Sequence, residues 1–483
     1  MSFRQVAVSG AKWTSVSAAA AGLLQLLQLV VLARLLSPAD FGLMGMVLVV
    51  VGFANSYADM GVSQALIFRQ DTTPDEQSSL YWLNVMTGFL LYLLIVLLTP
   101  PITGFFAQPS LGPLILLTSL VFLITPFGQQ FQILLQKELI FDRLAQVEII
   151  ATVAGAAVAI GGALVGFGVL SLVAGELANA TVRALVLVVI GWRRWRPALI
   201  FNPTHLRGYL SFGMYQMGER SLNYFNKNID KILIGRLLGP VLLGYYSLAF
   251  NLVLYPISII NPIITRVSYP IFAKLQNEIE MLKQGYMEVM QILALINFPL
   301  FFGFAVTAPV VIPTFFGPQW MPSVLIAQIL AGVGLIRSTG NPVGSLLYAK
   351  GYARLGFIWN LIELVTQVPG VVLGAYFGGM VGVAVACLLL QILYFALSYW
   401  LLIRQVVGSC FREYLQSMGA ACLMSTVMAI GVWIVGMILP DEALLLTAGL
   451  EILAGVLIYG ALLLLFQRRI VGEIWRGLIG HQV

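Results

Sequence analysis

The stretch YLSFGMYQMGERSLNYFNKNIDKILIG, residues 209–235, has the length of a membrane span but carries five charged side chains. Placed on a helix at 100° per residue, its polar groups fill an arc of roughly 140° as two adjacent stripes. A charge at the bilayer centre costs at least ~2.5 kcal/mol. We therefore predict that this face lies inside a helix bundle or along a wet cavity. The stripes comprise Glu219, Asn223, Asn226 and Asp230, then Arg220, Lys227 and Lys231, with Gln216 beside them.

The rest of the chain predicts an all-α polytopic membrane protein. Of its 483 residues, 60% are hydrophobic and only 10% are charged, and apolar runs long enough to cross a bilayer recur throughout. We expect fourteen spans, at residues 13–33, 42–66, 80–98, 114–135, 144–165, 168–190, 209–235, 241–264, 287–307, 323–346, 357–376, 380–402, 417–438 and 444–466.

Lysine and arginine predict the orientation of these spans. If the N-terminus is cytoplasmic, nineteen basic residues fall in cytoplasmic segments and only Arg34 and Arg236 fall in outer loops. Because basic residues favour the cytoplasmic side, this asymmetry supports the span count and places both termini in the cytoplasm.

An internal repeat predicts two similar halves. ARLLSPADFG at Ala33–Gly42 resembles GRLLGPVLLG at Gly235–Gly244, at a constant offset of 202 residues. Because six spans separate the copies, both enter the membrane in the same direction, which indicates a parallel repeat of two six-helix lobes around a central cavity. The predicted parts are an N-lobe (1–191), a cytoplasmic linker (192–208), a C-lobe (209–403) and a final part with spans 13, 14 and a cytoplasmic tail (404–483).

Ionisable residues inside the spans are the candidate site. Fixed cations in a cavity of low dielectric attract phosphate and carboxylate groups, arginine through its bidentate fork. A diphosphate headgroup would suit such a cavity, with Arg34 and Arg236 at its outer mouth. The predicted headgroup ligands are Arg220, Lys227, Lys231, Arg183 and Arg337.

The acidic residues near these cations are candidates for coupling or switching. Asp230 comes first, followed by Glu219, and Glu176 lies seven residues from Arg183 on the same helix face. Such carboxylates either hold the cations apart or bind a coupling proton or sodium ion, and the sequence leaves both roles open. We expect no metal site and no other cofactor, because the two histidines lie outside the spans and the three cysteines lack ligand spacing.

Enzyme and nucleic-acid signatures are missing from the sequence. It has no phosphate loop and no HExxH motif, and its longest loops run to roughly 20 residues. The basic residues lie in short loops between apolar runs and form no basic domain, so we expect no nucleic-acid partner.

Two stretches resemble the polysaccharide-transporter family of the multidrug/oligosaccharidyl-lipid/polysaccharide exporter superfamily, and within it the Wzx-type flippases of the colanic-acid exporter subgroup. They are ARLLSPADFGLMGMVLVVVGFANSYADMGVSQALI (33–67) and NIDKILIGRLLGPVLLGYYSLAFNL (228–252). The resemblance implies transfer of undecaprenyl-diphosphate-linked oligosaccharide repeat units from the inner to the outer leaflet of a bacterial inner membrane, by alternating access. It also implies membrane lipids, a polysaccharide polymerase and export machinery as partners.

Three other functions compete with this one. An ion-coupled multidrug antiporter of the same superfamily would need an acidic, aromatic cavity, whereas the candidate residues here are mostly cationic. A membrane-embedded polymerase or ligase would need long outer loops with catalytic carboxylates. A scaffold without transport would leave the cost of the charged span unexplained.

Overall fold

The computed structural model describes residues 3–59, 66, 71–206, 209–439 and 444–468, and almost all of them are helical. The α-helices are α1 (Phe3–Leu35), α2 (Pro38–Ala58), α3 (Pro74–Phe106), α4 (Leu111–Ser119), α5 (Val121–Lys137), α6 (Phe141–Leu164), α7 (Val169–Gly191), α8 (Tyr209–Lys274), α9 (Ile279–Phe316), α10 (Pro322–Ala349), α11 (Ala353–Ser398), α12 (Arg404–Val407), α13 (Phe411–Ile438) and α14 (Leu444–Phe466). A π-helical turn, Tyr399–Ile403, joins α11 to α12.

Local sequence explains where several helices begin. Ser37 caps α2 and exchanges hydrogen bonds with Asp40, while Pro38 occupies the first helical position. Thr73, Pro74 and Glu76 do the same for α3. Because these caps satisfy exposed backbone donors, they fix where both helices begin.

The described residues contain twelve apolar segments long enough to cross a membrane. Two of them, Arg220–Ser258 and Arg354–Val407, are each long enough for two crossings. Each contains a glycine with non-helical backbone angles, Gly239 (φ 83°) in α8 and Gly379 (φ 55°) in α11. Left-handed φ values favour glycine, so the two glycines in the sequence explain why the helices break at these positions. Divided at these two breaks, the twelve described segments give fourteen apolar helical stretches, and the predicted polytopic helical fold is confirmed.

The two copies of the ten-residue motif contact each other, one at the start of α2 and the other just after the Gly239 break in α8. A Cβ atom at Gly42 would lie 1.7 Å from the carbonyl oxygen of Pro240, and one at Gly244 would lie 1.9 Å from that of Pro38. Pro38 corresponds to Pro240, and Gly42 to Gly244, in the 202-residue repeat. Such a reciprocal contact is what a two-fold relation between the copies requires.

A second pair of glycines carries the same relation further along the chain. Gly168, which precedes α7, has φ 54° and ψ −134°, and Gly379 has φ 55° and ψ −138°. Each glycine lies in the turn before the sixth span of its predicted half. The six-plus-six repeat therefore extends beyond the motif that first indicated it.

The chain forms two compact units, Met1–Gly244 and Tyr245–Val483. In the N-terminal unit, Tyr81, Phe131, Leu135, Val147 and Leu187 form a buried cluster. In the C-terminal unit, a buried cluster joins α9, α10, the π-helical turn and α13. The predicted lobe boundaries, 191 and 208, differ from this division and stay a prediction.

The predicted linker is fastened to the N-terminal unit. The backbone N–H groups of Ala198 and Asn202 donate to the hydroxyls of Ser78 and Ser79, at 3.1 and 3.2 Å. The Trp82 indole N–H donates to the Ala198 carbonyl at 2.8 Å. These hydrogen bonds therefore attach residues 198–202 of the linker to the first turns of α3.

Candidate functional site

Four helices of the N-terminal unit enclose a polar cavity of about 410 Å³. The last turns of α2, the cytoplasmic halves predicted for α5 and α7, and an early turn of α8 form its walls. Its polar lining residues are Asn55, Asp59, Thr125, Gln129, Gln132, Gln136, Arg183 and Arg220. Two of the five predicted headgroup ligands, Arg183 and Arg220, are thus brought together although they are distant in sequence.

Asp59 and Arg220 form the first charged group of the cavity. Arg220 Nη1 lies 3.8 Å from Asp59 Oδ2, which is an ion pair longer than a hydrogen bond. The Gln129 amide donates to Asp59 Oδ1 at 3.0 Å. The Asp59 side chain is 14% exposed and that of Arg220 is 34% exposed. The arginine therefore still has a substantial surface to offer a ligand.

Arg183 and Glu148 form the second charged group. Arg183 Nη2 lies 3.0 Å from Glu148 Oε1 and 2.9 Å from Oε2, and about a third of each side chain remains exposed. Glu176 also lies within electrostatic range of Arg183. A guanidinium has five N–H donors, so a carboxylate on one edge leaves others for an anion or a hydroxyl.

Aromatic side chains position Arg220 against α2. The Tyr224 hydroxyl donates to the Val49 carbonyl at 2.8 Å, and the hydroxyls of Tyr57 and Ser221 lie 2.5 Å apart. The Phe53 ring contacts the rings of Tyr57 and Tyr224, with centroids 5.4 and 6.0 Å away. These contacts fix the first half of α8 beside the last turns of α2, and so hold Arg220 at the cavity.

Of the other charges in residues 209–235, Lys227, Asp230 and Lys231 do not line this cavity. Lys227 is exposed, Lys231 is partly buried, and Asp230 is 3% exposed and accepts a hydrogen bond from the Lys231 backbone at 2.9 Å. The side chain of Glu219 lies outside the described part of the structure. Of the three basic residues in the predicted cationic stripe, only Arg220 lines this cavity.

Three further predicted residues lie elsewhere. Arg34 and Arg236 are exposed, and the Arg236 guanidinium lies 6.0 Å from the centre of the Phe105 ring. In the C-terminal unit, Arg337 is partly buried on α10 and lies within electrostatic range of Glu363 on α11. Arg183 and Arg337 thus each lie near a glutamate.

Sequence reasoning missed the amide lining of the cavity. Gln129, Gln132 and Gln136 are spaced three and four residues apart, which puts them on one face of α5. That spacing was visible in the sequence, but uncharged amides in a membrane span carry a weaker signal than charges.

The sequence matches a known protein family over more than half of its length. A model of the family described as "Polysaccharide biosynthesis protein" matches residues 31–325, more than half of the sequence. This chain belongs to that family. The family resemblance predicted from the two motif-bearing stretches is thereby confirmed.

Family relatives come from diverse bacteria. "Lipopolysaccharide biosynthesis protein WzxC" of Escherichia coli (strain K12) is 34% identical over 92% of this chain and 90% of its own length. "Teichuronic acid biosynthesis protein TuaB" of Bacillus subtilis (strain 168) is 35% identical over 94% of each. "Succinoglycan biosynthesis transport protein ExoT" of Rhizobium meliloti (strain 1021) is 26% identical over 91% of this chain and 89% of its own length.

Solved structures share the fold. The lipid II flippase MurJ, in an inward closed conformation, matches with a TM-score of 0.76 over 95% of this chain and 99% of MurJ, at 14% identity. An inward-facing multidrug resistance MATE family transporter matches with a TM-score of 0.61 over 79% of this chain and 94% of its own length, at 17% identity. At these low sequence identities, the structural similarity shows that this protein shares the polytopic α-helical fold.

Proposed function

We propose that this protein is a flippase that carries lipid-linked oligosaccharide repeat units from the inner to the outer leaflet for polysaccharide assembly. The observation that carries the proposal is the cavity in the N-terminal unit, where Arg183 and Arg220 stand among amide groups inside membrane-spanning helices. A volume of about 410 Å³ is within the range of ~300–1,000 Å³ of small-molecule sites. It suits part of a sugar-diphosphate headgroup, while the polyprenyl tail stays in lipid.

The position of the cavity supports entry from the cytoplasm. It lies at the ends of α2, α5 and α7 and near the beginning of α8. By the predicted orientation, with both termini inside the cell, these ends face the cytoplasm, where the substrate is made. The bacterial inner membrane is the proposed location.

Both cavity arginines are proposed to hold the diphosphate. The loose Asp59–Arg220 pair and the closer Glu148–Arg183 pair keep each arginine oriented before the ligand arrives. An arriving diphosphate binds through donors that these carboxylates leave unused. Because the carboxylates partly offset the charge of both arginines while the diphosphate is bound, they weaken its binding and so favour its release.

Residues outside the cavity are proposed to act along the path of the headgroup. Lys227, Lys231 and Arg337 are proposed as transient contacts, and Arg34 and Arg236 as contacts at the outer mouth. Asp230, Glu219 and Glu176 are the proposed switch residues, through a coupling proton or sodium ion. A polysaccharide polymerase and export machinery are the proposed partners.

Transport in proteoliposomes tests the function. Wild-type protein is expected to move a short-chain polyprenyl-diphosphate oligosaccharide between leaflets, and Arg220→Gln to reduce the rate at least tenfold, because charge-assisted hydrogen bonds contribute ~1.5–3 kcal/mol. Arg143→Gln is the matched control, since Arg143 is exposed, lies outside the cavity and contacts only the nearby Asp142 and Gln146 among the residues that the structure describes, at 3.9 and 3.2 Å. If folded wild-type protein moves nothing, the substrate class is wrong. An Arg220→Gln rate equal to wild type would contradict the role of the cavity.

A further inference from the structure

One wall of the cavity is a row of amides that lies beside a charged group at one end. Gln129, at one end, donates to Asp59 and so belongs to the charged group around Arg220. Gln132 and Gln136 follow at one and two turns toward the end of α5 and line the same cavity. Seven residues of helix separate the ends of the row by roughly 10 Å. The wall therefore runs from a charged end to a neutral one.

The other two amides of the row, Gln132 and Gln136, face the cavity with their hydrogen-bonding groups available. Gln132 and Gln136 are partly exposed, and neither side chain makes a hydrogen bond to another residue that the structure describes. Gln130, which precedes both in sequence, is fully buried and does not line the cavity. Amide side chains in a membrane protein are normally used to bind neighbouring helices, so two that point into a cavity call for a ligand.

The chemistry of these amides matches a hydroxyl-rich ligand. A glutamine amide has two N–H donors and a carbonyl acceptor, and a sugar hydroxyl is both donor and acceptor. A diphosphate offers acceptors only, so half of the amide's hydrogen-bonding capacity would stay unused against it. Site groups that pair with a ligand's hydroxyls discriminate strongly, because an analogue without them leaves the site's polar groups unpaired.

We propose that Gln132 and Gln136 bind the sugar portion of the headgroup and help to select which oligosaccharide is carried. Arg183 and Arg220 hold the diphosphate, and the first sugars extend along α5 toward Gln136. This inference rests on the proposed flippase function and adds to it a specificity-determining pair of residues.

The test compares two forms of one substrate. The lipid-linked repeat unit is isolated from the bacterium that makes this protein, and part of it is trimmed by glycosidases to its first sugar. Both lipids are assayed in proteoliposomes with wild type, Gln132→Met plus Gln136→Met, and the control Gln146→Met. Methionine keeps length and volume but removes both amide groups, and Gln146 is exposed on α6, where it accepts a hydrogen bond from Arg143 at 3.2 Å.

The inference predicts a change in preference. In the double variant, the rate for the full repeat unit is expected to fall about tenfold relative to the rate for the trimmed lipid, equivalent to ~1.4 kcal/mol. Gln146→Met leaves the ratio at its wild-type value. A second variant, Gln132→Asn plus Gln136→Asn, keeps the amide chemistry and is expected to retain more of the preference than the methionine variant.

Two other outcomes would overturn the inference. If the ratio stays constant while both rates fall, the amides act on the diphosphate or on folding. If neither rate changes, they contact no part of the substrate. Failure of the proposed function looks different, because wild-type protein then moves neither lipid, and the assignment of Gln132 and Gln136 falls with it.

Discussion

The cavity of the N-terminal unit and the buried core of the C-terminal unit use polar side chains in opposite ways. In the N-terminal unit, two arginine–carboxylate pairs and a row of amides surround a cavity and stay partly exposed. In the C-terminal unit, Asn261 donates to the Ser338 carbonyl at 2.9 Å, and Asn297 donates to Asn261 and to the Leu293 carbonyl, with both asparagines fully buried.

This difference separates two uses of polarity in a membrane. Buried amides that bond to the backbone of neighbouring helices hold those helices together, for ~0.6–1.7 kcal/mol each. Partly exposed charges around an open space contribute less to packing and retain capacity for a ligand. The proposed functional side chains are therefore distinguished by partial exposure beside a cavity, and not by polarity alone.

The largest expected effect comes from reversing one cavity charge. Arg220→Asp puts a second carboxylate beside Asp59, where it repels an anionic headgroup, and transport is expected to fall about hundredfold, equivalent to ~2.8 kcal/mol. Combining it with Asp59→Arg restores an ion pair with the charges exchanged. We expect the exchange to recover thermal stability but less than a tenth of wild-type transport. Full recovery of transport would make the pair structural and remove the distinction between the units.

A smaller effect is expected at the reciprocal glycine contact. Gly42→Ala and Gly244→Ala each force a Cβ against a proline carbonyl, and overpacking of this kind costs ~1–3 kcal/mol. Because the contact is reciprocal, the two variants should lower the midpoint of unfolding in detergent by similar amounts. Gly104→Ala is the control, since nothing lies within 4 Å of its Cβ position. Strongly unequal shifts would contradict the symmetric relation.

Removing a buried amide of the C-terminal unit should act on stability alone. Asn297→Leu is expected to cost ~0.6–1.7 kcal/mol of unfolding free energy while transport per folded molecule stays within twofold of wild type. Thermal unfolding and proteoliposome transport measure the two quantities on the same preparation. A folded variant that no longer transports would place functional chemistry in the C-terminal unit as well.

The smallest effect is expected from the lysines outside the cavity. Lys227→Ala combined with Lys231→Ala should reduce transport only two- to fivefold, because Lys227 is exposed and neither side chain lines the cavity. Exposed charges act weakly and are screened by salt, so the difference should shrink as ionic strength rises. A loss above tenfold that persists in high salt would move the main headgroup site away from the cavity.

Much of the architecture was predictable from the sequence because it rests on local and repeated signals. Apolar runs gave the spans, and the Pro38 and Pro240 motifs gave the parallel repeat, which their reciprocal contact supports. Gly239 breaks α8 between the predicted seventh and eighth spans. These features depend on residues close to one another in sequence or on motif copies that can be aligned.

The cavity was less predictable because its members meet only in three dimensions. Arg220 and Arg183 were recognised as costly charges, but their partners, Asp59 and Glu148, lie on other helices. Helical periodicity alone does not show whether the face of α8 that carries Lys227 lines this cavity. Gln132 and Gln136 carry no charge, so no energetic penalty drew attention to them.

The central claim is that the cavity of the N-terminal unit receives the substrate, and cysteine protection tests it most directly. In a background with Cys387, Cys410 and Cys422 replaced by alanine, Thr125→Cys places a thiol in the cavity lining and Ser338→Cys places one in the buried C-terminal core. Both are labelled with a membrane-impermeant maleimide in nanodiscs, with and without the isolated lipid-linked repeat unit. We predict that the lipid slows labelling of Thr125→Cys at least fivefold, while Ser338→Cys reacts slowly in both conditions. If a transport-competent Thr125→Cys protein is labelled at the same rate with and without the lipid, the substrate does not enter this cavity.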